Sequence, residues 1–523
     1  MEKHCKIETS KIVKSKCDNK KDIIEVFPRC HHLQETLKCL EGTVLERDTI
    51  IKLMPGNHTG KVRKIGKDEY DVQPINIQNI ASSYPAQLTF KGDTRDFVGQ
   101  TYLHGIPDPD ENTAKIILHR KSVELCLLDD KMENILDLTT FGIQKHDIIM
   151  LCAQDVYEEV EICCVDANTI YLRKSLPDKI LKFSQGIGLY LTFLPNVRIS
   201  LTNKDLGDIM LNTDMFIRSS CRFEGVYIDL KYIQGCLDIQ RADVEGENLV
   251  VGTSDTGVTP GIDISKFSTL TLTEGNNCML NIANINVTKS SFTLKNGSMI
   301  THIGAFIVNI PFAEQSNIDI ENCKILTYGT GGALGSTLTA GESIFYTNNS
   351  VYLPGRGFHS LHYLSRNAYG FFKNNNMYNL GEFDIVPNKC PSVSRCSYYN
   401  AKVENEQFLA PNLVTDFVLP DTIIIGVPFN ASVTATNNLP IPVTYLCLVF
   451  FRITYTDSEG KSQNKTIDLS GEPVLAQPGQ TVTPTIDNII INQENITSMD
   501  GLVGTNLNAD RKYDDVDINV IYP

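Results

Sequence analysis

The sequence predicts an all-β chain: a parallel β-helix with a capping helix near its start and a small inserted β-unit, followed by a C-terminal β-sandwich. Paired apolar positions recur from Phe223 to Leu353: Ile228/Leu230, Leu249/Val251, Leu270/Leu272, Phe292/Leu294, Ile318/Ile320 and Ile344/Tyr346, at steps of 21 to 26 residues. Each pair places two side chains on one face of a strand. A second series, Leu237/Ile239, Ile262/Ile264, Ile285/Val287 and Val308/Ile310, runs between them at steps of 23 to 25. Two interleaved strand sets with this period describe coils that bury their inward faces only by stacking on each other. A third observation, a set of strands and turns after Ala410 without the coil period, predicts the sandwich.

In chain order, residues 1–30 read as a lysine-rich arm carrying Lys3, Lys6, Lys11, Lys14, Lys16, Lys20 and Lys21. Such an arm is a solvated tail or docks on an acidic partner. His4, Cys5, Cys17, Cys30, His31, His32 and Cys39 have no CxxC pair or zinc-finger spacing, so no metal is expected. Residues 31–410 are assigned to the β-helix. Leu33, Leu37 and Leu40 share a helical face, Gly42 follows where the helix should stop, and an alternating strand from Thr49 runs into a turn at Pro55-Gly56. A helix leading into such a strand would cover the apolar end of the first coil.

The stretch Ile51-Lys52-Leu53-Met54-Pro55-Gly56-Asn57-His58-Thr59-Gly60 resembles the opening strand of the pectin-lyase-like right-handed β-helix superfamily, with His58 where Tyr is usual. That resemblance covers this opening and the later coils, and implies a right-handed β-helix. The superfamily includes polysaccharide lyases, hydrolases, phage tailspikes and structural virion proteins, so the resemblance implies fold rather than activity.

From Lys61 to about Ser200 the rhythm is interrupted. Strands over 142–151, 159–165, 169–172 and 189–191 read as a small antiparallel unit inserted at about 100–195. Residues 380–412, punctuated by Pro387, Cys390, Pro391, Cys396 and Pro411, lack the coil period and place a boundary near Ala410. Strands at 422–425, 429–436, 443–455, 465–469, 480–486 and 516–521 then suggest an immunoglobulin-like β-sandwich over 411–523.

Composition narrows the function. A net charge of -15 argues against a nucleic-acid scaffold, because binding a duplex rests on neutralising phosphates with Lys and Arg. No apolar run is long enough to span a bilayer, and the first residues lack the apolar core of a signal peptide, so synthesis in a reducing cytoplasm is expected. Among the fifteen cysteines, Cys236, Cys278, Cys323 and Cys447 fall on the strand pattern, where a thiol serves as a small buried hydrophobe.

A β-helix lyase would recruit Arg356, His359 or Arg366 as base, with acids such as Asp319 or Glu321 from neighbouring coils. Asp319 alternates with Ile318 and Ile320, however, and should simply face water. Asn212-Thr213-Asp214 matches the first polygalacturonase motif, but the later motifs are missing. The Gly-rich run 329–335 lacks the Lys of a phosphate-binding loop, and there is no nucleophile elbow. The expectation is therefore a non-enzymatic structural protein of a virus particle, a minor capsid, vertex or spike component without metal or cofactor. Its expected partners are other capsid or spike proteins, held through the arm and the sandwich, with a homotrimer as the expected oligomer. The alternative is a carbohydrate-active β-helix enzyme or tailspike depolymerase acting on a glycan.

Overall fold

The computed structural model describes residues 21–29, 31–66, 69–104, 113–127, 137–153, 156–183, 189–200, 214–231, 236–254, 260–282, 284–301, 309–310, 316–327, 334–336, 343–353, 362–363, 369–379, 401–405, 407–409, 413–439, 442–505 and 513–523. The chain is all-β, built mainly of strands, and its centre is a β-solenoid of about 10 turns. Each coil contributes to a first sheet of 11 strands, from Lys21–Val26 to Ala401–Glu404, and a second of 10, from Gly56–Thr59 to Gln407–Leu409. A third face has four stacked strands between Met215 and Thr288, then three more between Asn309 and Tyr363. Every pairing in these sheets is parallel, as stacked coils require.

Registry turns the sequence period into columns of like residues. On the first sheet Ile51, Phe90, Phe223, Gly246, Leu272, Leu294, Ile320, Tyr346 and Phe372 stand above one another. Phe90 and Phe223 stack at 5.0 Å. Gly246 sits where Leu272 and Leu249 fill the space, since a Cβ there would come within 2.5 Å of the Leu272 side chain. The apolar series that begins at Ile228/Leu230 therefore joins two sheets. Its first two pairs border the second sheet, while Val244/Gly246 is the true first-sheet partner of Leu270/Leu272.

The corner between the first and second sheets takes one left-handed residue per coil: Gly225, Asn248, Gly275, Asn296, Asn322, Asn348, Asn374 and Asn405. Asn and Gly enter this region at low cost. The amides also form a ladder, with Asn322 donating to Asn296 (2.7 Å), Asn374 to Asn348 (3.0 Å) and Asn405 to Asn374 (3.2 Å). This ladder carries the solenoid through residues where the apolar period fails. Residues 401–409, in a stretch whose sequence lacks the coil period, pair as a further coil.

One expectation about the start of the chain is corrected. The described end of the lysine-rich segment is not an arm, because Lys21–Val26 pairs with Asp48–Leu53 as the first strand of the first sheet. The helix His32–Leu40 follows, with Leu33 and Leu37 in the solenoid's apolar cluster and Gly42 left-handed just beyond its end.

Between Leu88–Lys91 and its neighbour Cys221–Glu224 the chain leaves the solenoid and builds a closed seven-stranded barrel from Thr101–His104 to Tyr190–Leu194. The barrel is antiparallel except where Thr113 and Ala114 pair with Leu103 and His104 in parallel. Residues 142–147 are turn rather than strand, with Gly142 and His146 left-handed.

After Leu409 two four-stranded antiparallel sheets form, beside a parallel pair of Thr422–Ile424 with Asn519–Ile521 and an antiparallel pair of Val443–Tyr445 with Val474–Ala476. One four-stranded sheet holds Leu413–Val418, Phe429–Thr436, Thr481–Val482 and Thr485–Ile489; the other holds Ser462–Ser470, Cys447–Thr456, Ile496–Thr505 and Tyr513–Asp517. Val433 and Ala435 of the first share an apolar cluster with Val449, Phe451 and Val503 of the second.

Candidate functional site

Alternation along the third sheet fixes what faces outward. Leu237/Ile239, Ile262/Ile264 and Ile285/Val287 point into the solenoid, so Asp238, Asp263 and Asn286 stand side by side on the outside. Cys236 opens its strand beside Gly261, with Asp214 just before the strand below. Asp238 and Asp263 are not among the residues singled out from the sequence. The alternation itself held the signal.

The carboxylates of the column are engaged. Arg218 clamps Asp238 with Nη2 on Oδ2 (2.7 Å) and Nη1 on Oδ1 (3.2 Å), and Gln240 donates to Oδ2 (3.0 Å). Asn286 donates to Asp263 Oδ1 at 2.6 Å. The Cys236 thiol lies 3.2 Å from Asp263 Oδ2 and 3.6 Å from Asp214 Oδ1, while the Cys236 N–H donates to Asp214 at 2.8 Å. Burial, then the carboxylates of Asp263 and Asp214, push this thiol up and favour its neutral S–H form. Cys236 is thus half-buried in a polar cluster, unlike Cys278, Cys323 and Cys447, which are buried as expected.

The first sheet has its own outward charges. Arg222 reaches Glu224 (3.1 Å), Glu245 (3.4 Å), Glu247 and Glu274, and Lys91 holds Glu224 at 2.8 Å. Higher up, Lys295 bridges Asp319 (2.9 Å) and Glu321 (2.7 Å). The two acids named for a lyase are therefore ion-paired on an open strand. Arg356, His359 and Arg366 lie outside the described residues, as do Asn212 and Thr213. Among the described residues no group of three or more His, Cys, Asp or Glu is arranged to hold a metal.

A different surface lies at the corner between the third and first sheets. Arg241, Lys266 and Lys289 occupy equivalent left-handed positions in successive coils, so their backbones stack about 4.8 Å apart along the axis. Phe267, also left-handed, is 77% exposed beside them. They line a groove of about 760 Å³ with Asp243, Ser265 and Thr288. Side chains other than Gly, Asn or Asp rarely hold this conformation, so the fold maintains four costly residues at one edge.

No family model matches the chain, and no curated protein matches it in sequence. Among solved structures, the sporulation control protein Spo0M of Bacillus subtilis is similar at 17% identity over 21% of this chain and 50% of its own, with a TM-score of 0.16. The alkylpurine DNA glycosylase AlkC of Pseudomonas fluorescens, bound to DNA containing an abasic site analog, is similar at 18% identity over 21% of this chain and 31% of its own, with a TM-score of 0.16. The chain thus spans half of the first protein's length and under a third of the second's. The enzymatically active domain of tailspike protein 4 of bacteriophage CBA120 aligns over 88% of this chain and 87% of its own, at 8% identity and a TM-score of 0.15. At these scores none of the three assigns an activity.

Proposed function

We propose that this protein is a non-enzymatic structural component of a virus particle, a minor capsid, vertex or spike protein that uses its β-helix as a rigid scaffold. One observation carries the reading: the outward carboxylates placed by the geometry are held by Arg218, Arg222, Lys295, Asn286 and Cys236 instead of being presented to a substrate. Carboxylates used as acid and base need access to the bond they act on.

In this reading the helix His32–Leu40 caps a right-handed, pectin-lyase-like solenoid over 31–410. The two-sheet unit over 411–523 is an immunoglobulin-like display module. The cationic corner with Phe267 suits docking of an acidic capsid or spike partner, and a homotrimer is the assembly expected. The alternative, a carbohydrate-active enzyme, draws on the approach of Asp214 and Asp263 to the same Cys236 sulfur. Incubation with a panel of acidic polysaccharides, with and without calcium, separates the two. The structural reading predicts no unsaturated or reducing-end products and stoichiometric recovery of the protein in purified particles; release of either product would sink it.

A further inference from the structure

The barrel strand Val156–Asp166 pairs with Thr169–Leu172 in regular register at Val165↔Ile170 and Cys164↔Tyr171, then slips, so that Ile162 faces Leu172 and Cys163 is the extra residue of a β-bulge. In an unbroken strand Cys164 would follow Ile162 into the barrel, because side chains two apart share a face. The bulge cancels that alternation. Ile162 is fully buried and Val165 packs on the same barrel core, whereas Cys163 and Cys164, between them, are both exposed.

We infer that Cys163 and Cys164 form a surface vicinal dithiol, a chelating site for a thiophilic centre such as trivalent arsenic or a soft divalent metal ion. The site is independent of the proposed virion role. Adjacent Cα atoms are about 3.8 Å apart across a trans peptide, shorter than the separation a relaxed disulfide prefers, so bridging both sulfurs through a third atom strains the backbone less than joining them directly. With an arsenic(III) oxide probe the step balances: two S–H bonds break, two As–S bonds form, the oxide oxygen leaves with both protons as water, and arsenic stays trivalent. The other exposed thiol among the described residues, Cys39, sits in the helix His32–Leu40, far along the chain from this bulge.

The test loads the full chain with phenylarsine oxide in excess 2-mercaptoethanol, which strips arsenic from single thiols, and counts bound equivalents by intact mass. Wild type should retain arsenic that ethanedithiol removes, and Cys163→Ser and Cys164→Ser should each lose one equivalent while Cys39→Ser loses none. In wild type, mapping should show Cys163 and Cys164 protected from alkylation by the arsenical and re-exposed by ethanedithiol, a readout that needs no variant. Unchanged occupancy in either Cys163→Ser or Cys164→Ser, or alkylation of both thiols despite the arsenical, overturns the inference.

Discussion

The second and first sheets of the solenoid share one inward chemistry and differ in what they show outward. On the first, outward residues are charged and open, as in the Lys295–Asp319–Glu321 group. On the second, Tyr227, Val250, Cys278, Leu280, Ile300, Leu326 and Tyr352 form an apolar stripe with Leu103, Met150, Cys152, Tyr190 and Leu194 of the barrel. A sheet covered on both faces reads as continuous apolar strands, and Tyr227–Asp229, Val250–Gly252 and Cys278–Leu280 are buried at every position. Charged groups also join the barrel to the solenoid. The half-buried Arg198 guanidinium meets Glu159 of the barrel at 2.7 Å and Asp229 of the solenoid at 3.1 Å, over the Tyr227 ring. The difference teaches that the barrel is packed as part of the scaffold rather than hung from it.

The largest expected effect comes from breaking the seam. Arg198→Ala leaves Glu159 and Asp229 facing each other without their cation and should cost about 3–5 kcal/mol, read from the urea midpoint. Acid acts next. Burial holds His104 near a pKa of about 4, with its Nδ1 accepting the Ile116 N–H, and burial also lowers His58. The unfolded chain takes up these protons first, at its ordinary pKa of about 6.5. Stability is therefore intact above that value and falls as the pH drops towards 4, by roughly 3 kcal/mol for His104 alone. His104→Gln should remove most of that slope in melts run between these limits.

At the corner joining the two sheets, the buried Asn349 accepts from Cys323 N–H (2.9 Å) and donates to Ile320 O (3.0 Å). Asn349→Ala should cost about 1–3 kcal/mol through the groups it leaves unpaired. The open face should respond least. Lys295→Ala removes two partly exposed ion pairs worth under about 1 kcal/mol each, and the loss should shrink further in high salt.

Much of the solenoid is legible in sequence because stacking imposes a period, and Leu270/Leu272 through Ile344/Tyr346 mark four true first-sheet coils. The column is harder to follow where Gly246 replaces an apolar residue to make room for Leu249 and Leu272. In the C-terminal unit, Phe429–Thr436 is plain from alternation, whereas Leu413–Val418 and Ile496–Thr505 were missed. Pro484 divides what reads as one strand into Thr481–Val482 and Thr485–Ile489. The acid column was readable from the second apolar series, since residues between inward Ile and Leu must face out. The engagement of Asp238 by Arg218, 20 residues away, depends on coil geometry that no local pattern reports.

Native-state hydrogen exchange tests most directly whether barrel and solenoid form one scaffold. The buried seam predicts that amides of Ile148–Ala153 in the barrel and of Val250–Gly252 and Cys278–Leu280 in the second sheet open with a common free energy and a common denaturant dependence. Arg198→Ala should lower all three together. Exchange of Ile148–Ala153 at a much lower free energy, with the solenoid strands unaffected by Arg198→Ala, would contradict the account.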